Sequence, residues 1–310
     1  MTSHAQMMHF RLVPICAIAM LSMAGRAFSQ QSSGYHPLPV EGGARSAALG
    51  GVTAAEAFDP SSMYGNPAAL LFIERRFLTV NHVQEVLDPS MSEGAAFAFP
   101  ASREDMFGVG LMLTHTGNLN QSGGAALQFM QYGMDIAYAR AVTPTLSLGG
   151  RVGASTAESG TERATARSWS AGCFYSPTPG ATYGLVYTGI GSRIDIRRDQ
   201  PGTALVTEPV PASLGLGLSL QYPSFVGRRL LVLEVADEKS IGESGSRYKV
   251  GLEIYPVGTI ALRAGYIALP GASAAHYGAG FITKRIEIDY AISPGNDISQ
   301  FHEISLLIGL

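Results

Sequence analysis

Arg151, Lys249, Glu253, Arg263, Glu287, Asp289 and Glu303 share an unusual setting. Each stands one place away from an apolar residue in a stretch that otherwise alternates. In YKVGLEIY, Lys249 and Glu253 sit between Tyr248, Val250, Leu252 and Ile254; in RIEIDYAIS, Glu287 and Asp289 sit between Ile286, Ile288 and Tyr290. Carboxylates and guanidiniums brought together on one face can make bidentate, charge-assisted pairs. Two kinds of chemistry follow: a salt-bridged wall that fixes something packed against it, or a polar path through a pore. Catalysis would need convergent groups in defined roles, and the sequence has no HExxH, GxSxG or P-loop pattern. His82, His115, His276 and His302 are scattered and expected near strand ends or in loops. GIGSRIDIRRDQ begins with spaced glycines but opens no helix, so it is not a nucleotide loop. The residues point to a non-enzymatic chain with no cofactor and no metal site.

The elements that carry these charges are strands. SLGLGLSLQY places Leu214, Leu216, Leu218 and Leu220 on one side and only Gly, Ser and Gln on the other. TLSLGGRVGA, TIALRAGY, MFGVGLMLTH and YGMDIAYA behave alike. Alternation over eight to ten residues marks strands with two different sides. About fourteen are expected, near 77–86, 93–100, 106–115, 131–142, 145–155, 166–176, 181–189, 212–222, 229–236, 246–255, 259–267, 276–283, 285–293 and 300–310. An even number suits a bacterial single-chain barrel. Connections after even strands are short, such as VTPT and YPVG, whereas 116–130, 156–165, 190–211 and 237–245 are long. Short periplasmic turns alternating with longer outer loops belong to outer-membrane barrels. In that architecture the leucine rows face lipid and the charges face the lumen; in a secreted soluble β-protein, the alternative, the charges would be outside. Trp169, Tyr183, Tyr187, Tyr222, Tyr255 and Tyr266 are placed for aromatic girdles, although Tyr is also simply common in strands. Cys173 shares the register of Trp169 and Tyr175, hence the lipid face, as a small hydrophobe.

Composition agrees. The 310 residues carry a net charge of −3, 37 Gly and 15% charged residues, against an average of roughly 25% charged. That excludes a nucleic-acid binder, which needs a basic face. Arg11, the apolar run Leu12–Met23 and Ala27-Phe28-Ser29 read as a signal peptide over 1–29. Cys16 follows Pro14-Ile15 rather than a small residue, so lipidation is rejected. Past the signal no apolar run reaches the length of a spanning helix. A membrane protein of this composition must therefore be a closed barrel, because open edges are not tolerated in lipid.

Residues 30–76 break the alternation. GARSAALGGVTAAEAFDPSSMYGNPAALL is small, apolar and punctuated by Pro60 and Pro67. It is too apolar for a solvated tail and is expected inside the barrel as a plug, with 77–310 as the wall. The glycine side of 213–222 would let it approach the wall, and Arg45 could dock on the lumen acids.

GARSAALGG and DPSSMYGNPAAL resemble the N-terminal signature of the PorV/PorQ family, within the wider FadL-like outer-membrane proteins. Gly43, Ala44, Arg45, Gly50, Gly51, Asp59, Asn66, Pro67, Ala68 and Leu70 occupy its places. The likeness runs on through AVTPTLSLGGRVGAS and GLEIYPVGTIALRAGY to the ending IEIDYAISPGNDISQFHEISLLIGL. Glu303 stands where the family usually has Arg, and Leu310 replaces its terminal aromatic. The resemblance implies a fourteen-stranded, all-β outer-membrane barrel with an N-terminal hatch in the lumen. The hatch motif would be Gly43, Arg45, Gly50, Gly51, Asn66, Pro67 and Ala68. It also implies one of two roles. A PorV/PorQ-like member would serve type IX secretion, with secreted cargo proteins and other secretion components as partners. A FadL-like member would pass hydrophobic small molecules through the hatch and a side opening. The first is the leading expectation, with loop 190–211 as a protein-contact surface; the second is the alternative. A purely structural outer-membrane protein is a third class. Outer-membrane lipid is a partner under all three.

Overall fold

The computed structural model of the chain describes residues 42–73, 77–86, 90–116, 129–160, 162–190, 193–198, 206–209, 212–223, 229–240, 246–269, 271–294 and 300–310. The expected signal peptide lies outside them, as do residues 30–41 and 74–76 of the expected plug. The strands in chain order are β1 (Phe77–Glu85), β2 (Ser90–Pro100), β3 (Asp105–Thr116), β4 (Phe129–Thr143), β5 (Leu146–Ser159), β6 (Glu162–Thr178), β7 (Ala181–Thr188), β8 (Arg193–Arg198), β9 (Val206–Pro209), β10 (Ser213–Pro223), β11 (Arg229–Ser240), β12 (Ser246–Val257), β13 (Ile260–Leu269), β14 (Ala272–Ile282), β15 (Ile286–Pro294) and β16 (Gln300–Gly309).

Fourteen of these form an antiparallel transmembrane barrel. The pairings run from β1 to β7, pass to β10 and continue to β16. β16 then pairs back onto β1, with Phe77 opposite Gly309 and Glu85 opposite Phe301. Every backbone ladder therefore has a neighbour on each side, as a wall in lipid requires. Tight turns join β4 to β5, β6 to β7, β12 to β13 and β14 to β15 at the end of the barrel where β1 starts and β16 stops. At one of them Gly180, φ +105°, takes a conformation that a side chain would strain.

The opposite end departs from expectation. Residues 156–165 are not a long loop: β5 runs to Ser159 and β6 starts at Glu162. Within 190–211, β8 and β9 form a hairpin whose first strand pairs with Glu162–Arg167. This extension escaped the sequence reading because the row that includes Arg163, Thr165 and Arg167 is polar, although Ala164, Ala166, Ile194 and Ile196 share the opposite row.

The two faces of the wall are distinct. On β4, Met130, Tyr132, Met134 and Ile136 are exposed outward while Gln131, Ala137 and Ala139 are buried inward. On β10, Leu214, Leu216 and Leu220 are outward and exposed. Inside lie α1 (Gly43–Ala48), α2 (Ser62–Gly65) and a 3-10 turn (Pro67–Phe72). Met63, Leu70 and Ile73 pack on Ala98, Ala137 and Ala139. Ala44 and Ala48 pack on Ala291. Ala68 and Ala69 pack on Phe174, whose ring centroid is 4.9 Å from that of Phe72. The hydrophobic core is thus the space between the N-terminal segment and the inner wall.

Candidate functional site: the occupied lumen

The first anchor is α1. Its entry uses Gly42 and Gly43, both with positive φ. A Cβ on Gly43 would come within 2.8 Å of Asn81 Oδ1. The Ala44 N–H donates to Ser305 Oγ at 2.7 Å. Arg45 then reaches β12: Nε donates to Glu253 Oε1 at 3.0 Å and Nη2 to Glu253 Oε2 at 2.5 Å. Its Nη1 donates to Glu56 Oε1 at 3.1 Å, and its guanidinium lies over the Phe58 ring. On the wall, Arg263 bridges Glu253 and Asp289 at 2.5 Å each and Glu287 at 3.2 Å. Tyr255 donates to Glu253 Oε2 at 2.8 Å. Tyr255 therefore points into the lumen and is no part of an aromatic girdle, since it shares the parity of Glu253 along β12. Two guanidiniums and four carboxylates make one buried assembly, with Arg45, Glu253, Arg263 and Asp289 all at most 4% exposed.

The second anchor is the turn after α1. Gly50 and Gly51 have φ +77° and +68°. The Gly51 carbonyl accepts from Lys249 Nζ at 3.1 Å. Lys249 thus holds the segment from a different height on β12 than the ion assembly does.

The third anchor is the Asn-Pro-Ala turn against β5 and β6. Asn66 Nδ2 donates to the carbonyls of Ala54 (2.7 Å) and Cys173 (3.1 Å), and Oδ1 accepts from the Ala68 N–H. Pro67 opens the 3-10 turn, where a missing N–H costs nothing. Ser147 Oγ donates to the Ala68 carbonyl at 2.7 Å. A Cβ on Gly149 would stand 2.5 Å from the Ala68 nitrogen, and one on Gly172 2.0 Å from Asn66 Oδ1. Arg151 belongs to none of these anchors: it pairs with Asp135 at 3.1 Å and lies 5.4 Å from the Tyr64 ring.

The structure therefore splits the charged row read from the sequence. Glu253, Arg263, Glu287 and Asp289 meet Arg45; Lys249 meets Gly51; Arg151 meets Asp135; Glu303 lies apart. His276 is not near a strand end: it is buried on the inner face of β14 and bonds Ser293 Oγ through Nδ1 at 3.0 Å. Sequence reasoning missed Glu56, Asp135, Ser147 and Ser305 as partners. Asp135 alternates with Met134 and Ile136, so its parity carried a signal; Glu56 lies in a segment with no period. Burial also pushes the Asp59 carboxyl of the segment up to about 6.

Toward the loop-rich end the segment leaves a cavity of about 310 Å³, bordered by Gly50, Gly51, Tyr64, Lys249, His276 and Glu303. In the ion assembly Arg45 and Arg263 link the segment to the wall carboxylates, and Asp289 Oδ2 is buried without a hydrogen-bond partner among the described residues. The cavity is a part of the lumen, among the described residues, with room for a ligand.

No family model matches the sequence, and no curated relative matches it. Solved structures do. The chain is similar to the Ralstonia pickettii toluene transporter TbuX (17% identity, 87% of this chain and 97% of that one, TM-score 0.58). It is similar to the Pseudomonas putida toluene transporter TodX (16%, 87% and 99%, TM-score 0.61). It is also similar to a Pseudomonas aeruginosa FadL homologue (15%, 86% and 98%, TM-score 0.61). At these identities the likeness is one of fold. It supports the FadL-like part of the resemblance and does not support the PorV/PorQ assignment.

Proposed function

We propose that the chain is an outer-membrane channel for small hydrophobic compounds. In this reading residues 1–29 are cleaved as a signal peptide, 30–76 form a hatch and 77–310 form the wall. The observation that carries it is the lumen itself: among the described residues the barrel is filled by its own N-terminal segment, with a small cavity beside it rather than an open aqueous bore. Such a pore captures one molecule at a time and releases it when the hatch shifts. An open pore would instead pass polar solutes by size. The similar folds described as toluene transporters support the choice of a hydrophobic cargo over a secreted protein.

The test is uptake of labelled toluene by a deletion strain, with and without the full chain restored. Uptake should fall severalfold in the deletion and recover on complementation, with surface delivery of secreted proteins unchanged. Unchanged toluene uptake together with lost delivery of secreted proteins would overturn this reading in favour of a secretion component.

A further inference from the structure

The cavity beside the segment has a mixed lining. Val186, Ile267 and Phe301 supply apolar surface, but Glu303, His276 and Lys249 border the same space. Glu303 is 3% exposed and has no ion-pair or hydrogen-bond partner among the described residues. His276 is 8% exposed. Its Nδ1 is engaged by the Ser293 hydroxyl at 3.0 Å. A buried carboxyl group without a partner is costly unless water or a ligand satisfies it.

Resting on the channel reading above, we propose that this cavity selects a hydrophobic compound bearing a neutral hydroxyl group, such as an alkylphenol, over the matching hydrocarbon. A hydroxyl can pair with the Glu303 carboxyl group as donor or as acceptor, while the carbon body rests on Val186, Ile267 and Phe301. A hydrocarbon would displace water from Glu303 and return nothing. A site built to bond a hydroxyl rejects the analogue lacking it for this reason.

Isothermal titration of the full mature barrel in detergent with 4-propylphenol and with propylbenzene tests it. The wild type should bind the phenol about twofold to tenfold more tightly, the range expected for one neutral hydrogen bond. Glu303→Leu should remove that preference by weakening the phenol alone, and Glu303→Gln, which keeps the shape, should weaken it partly. Heat-modifiable migration on a gel confirms that each variant is assembled. Equal affinity for the two ligands in the wild type, or an undiminished preference in both variants, overturns the inference and leaves the channel reading standing. Binding of neither ligand by the assembled wild type removes the channel reading and this inference together.

Discussion

The two ends of the internal segment are held by different physics. Around Arg45 the contact is electrostatic and the partners are long side chains from β12, β13 and β15. Around Asn66-Pro67-Ala68 it is neutral and steric. There the wall offers Ser147, Gly149 and Gly172, and the approach is set by absent side chains. An ion assembly in a low-dielectric space is all-or-none, because removing one member leaves its partners buried and uncompensated. A glycine-cleared face is graded, because each added atom displaces the segment by its own volume. The Arg45 end is therefore suited to a latch, and the Asn66 end to a hinge.

Breaking the latch should have the largest effect. Arg45→Met should weaken retention of the segment by about 3–5 kcal/mol, read as protease sensitivity within 42–73 in rising denaturant while the barrel stays heat-modifiable. A loss under about 1 kcal/mol would mean that the electrostatic end is not the stronger one.

Next comes the wall itself. Leu216→Arg faces outward and should cost roughly 2–4 kcal/mol near the midplane, measured as a loss of assembled barrel. Gly217 faces inward, where a Cβ would meet the Ala55 nitrogen at 2.8 Å. Gly217→Ala should leave assembly intact and loosen the segment, separating damage to the lipid face from damage to the lumen face.

The steric end should respond less than the latch. Gly149→Ala pushes on the Ala68 backbone and should cost about 1–3 kcal/mol of segment retention. Gly150→Ala, one residue on and facing outward, should stay within about 0.5 kcal/mol. Equal effects at 149 and 150 would remove the glycine-cleared face from the comparison.

The smallest effect sharpens the picture through pH. Asp59 holds its proton up to about 6 inside the lumen, above the ordinary carboxylate value. A carboxyl that binds its proton more tightly in the packed state loses stability as pH rises through that window. Retention should therefore strengthen from pH 6 down to pH 4 by about 1 kcal/mol per pH unit at most. Asp59→Asn should flatten that part of the profile, and an unchanged slope in the variant would assign the dependence to other groups.

Much of the wall was legible in the amino-acid order. Leu216 and Gly217, or Ile288 and Asp289, declare opposite sides by parity alone, because successive side chains on a strand point to opposite faces. The β8–β9 hairpin was not legible as a unit, since its strands are short, six and four residues, and lie within a stretch that reads as a connection. The plug was legible only by exclusion, as a stretch too apolar for water and without a strand period.

What the sequence determined by itself was local: which positions form strands, which rows face outward, and that the lumen face is poor in bulk and carries charge. What only the tertiary structure decided was pairing. Arg45 and Glu253 lie 208 residues apart, and Asn66 meets Cys173 across 107. Ring closure brings β12 and β6 to the same enclosed segment. Parity along a strand is a property of a few consecutive residues, whereas the neighbour across a lumen depends on every strand's position around the ring.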